Sequence, residues 1–414
     1  MLPEARMLYQ FIEYQRSLIE PWTAWAAQAT NAFTDRDCFL AHIPGASCFA
    51  ASYEMLYRLG KTYGKPAFGI TAFDADGRVV AVDEQVVLER PFCRLLRFAH
   101  DPVAAPGRKP AVLVCAPLAG HHAVLLREVV EMLLPAHEVY VTDWRDARYV
   151  PVAEGPFRLD DCVGEIQAFI RHIGGQRLHV LAVCQATVPA LAAVSLLASA
   201  GEPTPRSLVL IGGPIDARSN PTAVGSLAAR QPLAWFERNL IYAVPAQYPG
   251  AGRKVYPSFL QHAGLVMAHP ARMVGAQWDY YLDLLQRDAE HAQAHRRACD
   301  EYNAVLDMAA EFYLDTIRIV FREFQLARSS WNVRGQAVRP QDIRDTALLT
   351  VEGELDDIAG RGQTQAAHEL CSGIAACHKR HITARQCGHY ELFSGPSWRS
   401  EVYPRVRDLI RQYA

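Results

Sequence analysis

No CxxC pair occurs among the ten cysteines, which stand at positions 38, 48, 93, 115, 162, 184, 299, 371, 377 and 387. That absence removes the common zinc and disulfide frameworks, and leaves free thiols in a reducing, cytoplasmic setting as the expected state. Clustered positive charge is missing too. The 42 Lys and Arg are spread along the chain against 44 Asp and Glu, for a net charge of -2. They form no footprint for a phosphate backbone or an anionic lipid, so nucleic acid is not an expected partner. Export is not an expectation either: "MLPEARMLYQFIEYQ" puts Glu4 and Glu13 where a secretory signal would need a positive start and an unbroken apolar run. Internal repeats and low-complexity tracts are absent. One long stretch, "LHVLAVCQATVPALAAVSLLASAG" (178–201), is nearly free of charge, but His179, Gln185, Thr187 and Pro189 interrupt it. It reads as a strand followed by a helix rather than as a transmembrane span.

What is present is apolar material for a large core: half of the 414 residues are hydrophobic. Residues 1–105 begin with an amphipathic helical pattern (Leu8, Phe11, Ile12, Leu18, Ile19) and read as a mostly helical N-terminal extension, with some strand near 79–88. From Pro110 the pattern changes. "PAVLVCAPLAG", "HEVYVTDW", "RLHVLAVC" and "SLVLIGG" are buried-strand text, and helical segments separate them. This alternation predicts a mostly parallel sheet with crossover helices over 106–213. It stops over 214–340, which reads as a helical insertion whose longest run is "DYYLDLLQRDAEHAQAHRRACDEYNAVLDMAAEFYLDTIRIVFREF". It resumes over 341–414 with "DTALLTVEGELDDIAG", "KRHITARQCGHYELF" and a closing helix. A parallel sheet interrupted by a helical lid and then completed is the plan of an α/β-hydrolase fold.

In that fold the nucleophile sits on a tight turn between a buried strand and a helix, flanked two positions away by small residues. Ala182-Val183-Cys184-Gln185-Ala186 fits, with Cys184 in the nucleophile's place and the positive end of the next helix favouring its thiolate. The Gln185 backbone N–H is the first expected oxyanion donor; the second is that of Leu118 or Ala119, in the loop after "AVLVCAP". The acid and the histidine should follow two later strands in that order. "TVEGELDDIAG" offers Asp356 or Asp357, with Asp356 preferred because only one of two adjacent side chains can face the ring, and "QCGHYELF" offers His389. His121 and Tyr390 are candidate lining residues of the cleft. Cys371, Cys377, His378 and His381 match no common metal-ligand spacing, and no metal or organic cofactor is called for. Trp235, Tyr242 and Trp278 belong to an aromatic concentration in the insertion and are candidate substrate contacts.

At these residues the chain resembles the intracellular poly(3-hydroxybutyrate) depolymerases. "PFCRLLRF", "APLAGHHAVLLREVV", "VYVTDWRDAR", "VCQATVPALAAVSLLA", "IGGPIDARSNPT", "DEYNAVLDMAAEFYLDTI", "VEGELDDIAG" and "GHYELFSG" carry the likeness in one order, from about residue 50 onward. The resemblance implies a Cys-Asp-His triad on Cys184, Asp356 and His389, and hydrolysis of stored polyester through a thioester. It also implies a polyhydroxyalkanoate granule as partner and the cytoplasmic granule surface as location. Two positions depart from the pattern: Ala186 stands where a proline is common, and Glu391 where a glycine is. The rival readings are a polyhydroxyalkanoate synthase-like acyltransferase with the same triad and a non-catalytic granule protein. Self-association into a homo-oligomer stays open.

Overall fold

A computed structural model describes residues 4–35, 37–75, 77–100, 109–268, 270–286 and 288–414. Its centre is a nine-stranded sheet among the described residues. In chain order the strands are β1 (Ala72–Ala75), β2 (Arg78–Glu89), β3 (Cys93–His100), β4 (Ala111–Cys115), β5 (Glu138–Trp144), β6 (Leu178–Val183) and β7 (Ser207–Ile211). Three short strands, β8 (Tyr242–Ala243), β9 (Lys254–Tyr256) and β10 (Met308–Ala309), make a small separate sheet, and β11 (Asn332–Val333) with β12 (Gln336–Ala337) makes a hairpin. β13 (Ala347–Gly353) and β14 (Lys379–Ala384) then complete the main sheet, whose spatial order is β1-β2-β3-β5-β4-β6-β7-β13-β14. β4, β5, β6, β7, β13 and β14 run parallel, while β2 and β3 are antiparallel to their neighbours. This is the α/β-hydrolase fold. β4, β6, β7 and β13 are buried at every position, which explains their continuous apolar text.

The sheet starts earlier than the sequence reading placed it. The expected boundary between residues 105 and 106 lies outside the described residues, but β1 to β3 before it already belong to the sheet. β3 interrupts its buried apolar residues with two arginines that have partners on β5: Arg94 pairs with the buried Asp143, and Arg97 with Glu138. Those charges hide its strand character from a reading of apolar runs. Among the described residues, α1 (Glu4–Thr34) and α2 (Ala46–Gly60), with a 3-10 turn over Phe39–His42 between them, form the helical extension. They pack through small side chains, among them Thr23, Ala26, Ala50 and Ala51; a Cβ on Gly60 would lie 2.4 Å from Thr23 Cγ2.

Crossover helices cover the sheet: α3 (Arg127–Leu133), α4 (Leu159–Ile173) and α5 (Thr187–Ser199). α4 buries Leu159, Cys162, Val163, Ile166, Phe169 and Ile170, one helical face, and stops at Gly174 with φ +98°. α5 is buried on all sides from Thr187 to Leu197, and its Pro189 falls in the first turn, where its missing N–H leaves no helical bond unmade.

The insertion holds α6 (Ala223–Arg230), α7 (Leu233–Leu240), α8 (Ser258–Ala268), α9 (Pro270–Gln286), α10 (Ala289–Asn303) and α11 (Ala310–Asp315). Its long helical run is therefore broken between α10 and α11. There the Leu306 N–H donates to Gly120 O at 2.7 Å and Val305 bridges His121, so pairing with a core loop overrides helix propensity. Below this crossing, Asp307 is fully buried. It accepts from Tyr9 of α1, from Arg148 Nη2 at 2.9 Å and from the Ser258 N–H at 2.8 Å, tying extension, core and insertion together. Among the described residues, no helix is long and apolar enough to cross a membrane.

Candidate active site

Cys184 follows directly on β6 and has φ +55°, in the left-handed region that a residue with a Cβ rarely adopts. The strain is held by its surroundings. A short 3-10 turn over Cys184–Ala186 leads into α5, and Thr187 Oγ1 donates to Cys184 O at 2.7 Å. The next strand's end must stay bare: a Cβ on Gly213 would sit 1.8 Å from Thr187 Oγ1. Ala182 and Ala186 are buried, while the cysteine itself is partly exposed. Alanine at 186, in place of the family's proline, thus belongs to the 3-10 turn, and the α-helix begins one residue later.

Asp356 and His389 come from the loops after β13 and β14. Asp356 is buried. Its Oδ1 accepts from the Ile358 N–H at 2.9 Å and the Ala359 N–H at 2.8 Å, and its Oδ2 accepts from His389 Nδ1–H at 2.8 Å. Asp357 points outward and is exposed. The two loops are fastened together by Leu355 N–H to Cys387 O at 2.9 Å, and a Cβ on Gly353 would approach Cys387 O to 2.5 Å. The Cys184 sulfur is close enough to act on the His389 ring. Burial works against charge on this ring, but the Cys184 sulfur and the Asp356 carboxylate more than offset it and push the His389 pKa up to about 10. Glu391 folds back on its own turn, where its carboxylate accepts from the Gly388 N–H.

The loop after β4 closes the other side. Leu118 is buried and Ala119 exposed, and Gly120 turns with φ +92° while its N–H donates to Leu118 O at 2.9 Å. Gln261 Nε2 reaches Leu306 O at 3.0 Å, and Gln261 Oε1 and Val305 Cγ1 would lie 3.1 and 3.4 Å from a Cβ on Gly120, so the insertion braces this loop. His121 is buried, and its Nε2 lies 3.2 Å from the Tyr390 hydroxyl. Burial, with His262 and His389 nearby, drops the His121 pKa to about 4, so the ring is neutral at pH 7. His122 falls to about 4 as well, mainly through burial.

Cys184, Asp356, His389, His121 and Tyr390 thus form one cluster, in which the Tyr390 ring packs 5.6 Å from that of His389 and its hydroxyl meets His121. The sequence reading missed two residues of this cluster. Tyr302 packs 5.1 Å from the His121 ring and 5.6 Å from that of Tyr390. Gly212 has φ +57°, and a Cβ there would come 3.0 Å from Leu392 Cδ1, 3.3 Å from His389 Cε1 and 3.4 Å from Asp356 Oδ2. Both stand inside segments that carry the family likeness, which was the signal available for them. The other three expected contacts lie in aromatic clusters of the insertion. Trp235 packs on the buried Phe236, Tyr242 on Phe259, and Trp278 stacks on Tyr281 while 60% exposed. Cys371 is buried in the core, His378 bonds Tyr413 and His381 bonds Thr350, so the thiol and imidazoles weighed as metal ligands diverge.

The family model described as the PHB de-polymerase C-terminus matches residues 212–414. Residues 212–414 belong to the PHB depolymerase family. The match supports a carboxylic ester hydrolase, and the matched span contains Asp356, His389, Tyr390, Tyr302 and the whole insertion. No curated protein matches the chain by sequence. Several solved structures are similar in fold. The 2-hydroxy-6-oxo-6-phenylhexa-2,4-dienoate hydrolase from Rhodococcus sp. strain RHA1 is 12% identical, with 80% of this chain and 99% of that one covered and a TM-score of 0.42. Carboxylesterase CesB from Bacillus subtilis is 14% identical, with 80% and 91% covered and a TM-score of 0.41. A thioesterase domain from the curacin biosynthetic pathway is 12% identical, with 80% and 99% covered and a TM-score of 0.41.

Proposed function

We propose that this protein cleaves backbone esters of amorphous poly(3-hydroxybutyrate), or a related short-chain polyhydroxyalkanoate, at the surface of cytoplasmic storage granules, releasing 3-hydroxy acid monomers and oligomers. The observation that carries the reading is the convergence of Cys184, His389 and Asp356, from the ends of three different strands, in a chain whose residues 212–414 belong to a polyester-degrading family.

His389, held by Asp356, takes the proton of the Cys184 thiol, which leaves a thiolate beside an imidazolium. The thiolate attacks an ester carbonyl carbon, and the carbonyl oxygen takes up negative charge facing the backbone N–H of Gln185 and that of Leu118 or Ala119. An alkoxide is a poorer leaving group than a thiolate, so the intermediate would collapse backwards unless His389 gives its proton to the departing oxygen. The C–O bond breaks, the alcohol end of the chain leaves, and a thioester remains on Cys184. Asp356, accepting from Nδ1, keeps Nε2 as the working nitrogen.

Acylation also resets the base. Once the sulfur is esterified it carries no charge, and one of the two influences holding His389 protonated is gone. Burial then favours the neutral ring, which takes a proton from water as that water attacks the thioester. The C–S bond breaks and the proton returns to the pair. Incubation with amorphous polymer tests the reading: soluble 3-hydroxy acids should appear with the wild type and not with Cys184→Ala. Polymer synthesis from 3-hydroxybutyryl-coenzyme A, without net release of acid, would instead assign the acyltransferase direction.

A further inference from the structure

An enzyme acting on an insoluble polymer needs a face that lies on it. The insertion was the expected place, yet Phe236 and Tyr280 are buried there and Tyr256 packs on Tyr313 at 4.3 Å. Apart from Trp278, the large exposed rings among the described residues lie elsewhere. Along α1, Phe11, Tyr14, Leu18, Trp22 and Trp25 recur at helical spacing and are 52, 62, 55, 70 and 50% exposed. The opposite face, with Tyr9, Thr23, Ala26 and Thr30, is the one buried against the protein. The stripe presents on the order of 600 Å² of largely apolar surface, at the upper end of what monomeric proteins leave uncovered.

We infer that this face of α1 is the surface by which the enzyme seats itself on the polyester granule, an inference that rests on the substrate reading above. Charge is the first argument. From residue 11 to 34 the charged side chains are Glu13, Arg16 and Glu20; Glu13 and Arg16 pair at 2.7 Å, and Glu13 also accepts from Tyr248. An anionic membrane would call for free cations on such a helix, and the stripe has none to give. The polymer is uncharged and its ester oxygens only accept hydrogen bonds. Tyr14, Trp22 and Trp25 offer apolar rings tipped with donors, which match it. A second copy of the chain fits less well. A helix-to-helix seam favours Leu and Ile knobs, whereas Trp22, Trp25 and Pro21 do not interdigitate, and the stripe falls short of the ~800 Å² per partner of a standard interface.

The surface is also joined to the site. Trp25 packs edge-on against Tyr53 of α2. Glu54 of α2 accepts from Tyr280 of α9 at 2.9 Å, and Arg58 and Lys61 hold Asp300 of α10 at 2.7 and 3.0 Å. α10 in turn delivers Tyr302 to His121 and Tyr390. A protein lying on α1 therefore holds its cleft in a fixed relation to the polymer.

The test is the triple change Tyr14→Glu, Leu18→Glu and Trp22→Glu, at positions exposed enough to leave folding intact, as a circular-dichroism melt verifies. Binding is measured in a Cys184→Ala background by co-sedimentation with amorphous poly(3-hydroxybutyrate) granules; catalysis is measured with Cys184 present on the soluble 3-hydroxybutyrate trimer. The expected result is at least a tenfold loss of granule-bound protein, with trimer hydrolysis within twofold of the parent. Unchanged sedimentation would overturn the inference, as would equal loss on granule and trimer, sedimentation with anionic vesicles in place of granules, or a parent dimer that the triple change dissociates. Granule binding by the parent, lost in the triple variant, with no polymer cleavage by the wild type, would retire the substrate reading and still support the surface.

Discussion

Replacing Cys184 by alanine should return His389 to an ordinary, uncharged imidazole. In the wild type, burial opposes charge on the ring, and Cys184 and Asp356 together raise its pKa from 6.5 to about 10. That gap is worth about 5 kcal/mol in favour of the imidazolium. Alanine removes the sulfur and leaves burial opposed by Asp356 alone, so the pKa should fall to ~6.5 or below. The assay is an NMR titration of the His389 ring in both proteins, with the resonance assigned by its loss in His389→Gln. A value still near 9 or 10 without the sulfur would refute the thiolate-imidazolium pair and the resetting of the base on acylation. Stability carries the same signature. A histidine with a raised pKa stabilises the fold fully below the unfolded value of ~6.5, and that contribution is lost as pH climbs through about 10. Denaturant midpoints of the wild type should therefore decline over this window more than those of the alanine variant.

Asp356→Asn should lower kcat on a soluble ester by roughly 10³–10⁴-fold, because the amide turns the imidazole to the wrong tautomer, whereas Asp357→Asn should stay within about twofold. Gly212→Ala, which places a methyl 3.0–3.4 Å from Leu392, His389 and Asp356, should cost about tenfold or more in kcat with the far-ultraviolet spectrum unchanged. Alkylation of Cys184 by iodoacetamide at pH 7 should be at least about tenfold slower in His389→Ala than in the wild type, because the ring that takes the thiol proton is gone. Asp307→Ala leaves the buried Arg148 with Asp146 as its carboxylate partner and should reduce unfolding free energy by about 2–3 kcal/mol in urea titrations, with Tyr9 losing its partner at the same time.

Strands buried on both faces were legible because their text is continuously apolar, and so were the turns after β6, β13 and β14, which place Cys184, Asp356 and His389. β3 was not. Arg94 and Arg97 are ordinary surface residues to a sequence reading, and only the partners Asp143 and Glu138 on β5 explain them. The break between α10 and α11 was hidden for a related reason, since the pull on residues 304–307 comes from Gly120 and His121, far away in the chain. Tyr302 enters the cleft through that break and could not be assigned without it. The choice of Asp356 over Asp357 rests, in three dimensions, on two backbone N–H groups that fix one carboxylate toward the ring. Exposure of the α1 stripe could not be read at all, for an apolar helical face in sequence is ordinarily a buried one.

The central claim, a covalent thioester on Cys184, is tested most directly by acid-quenching the enzyme during turnover of a soluble 3-hydroxybutyrate oligomer and mapping the adduct by mass spectrometry. The account predicts 3-hydroxybutyryl units on the peptide bearing Cys184, and no adduct with Cys184→Ala. An adduct on another residue, or wild-type cleavage by the alanine variant, would contradict it.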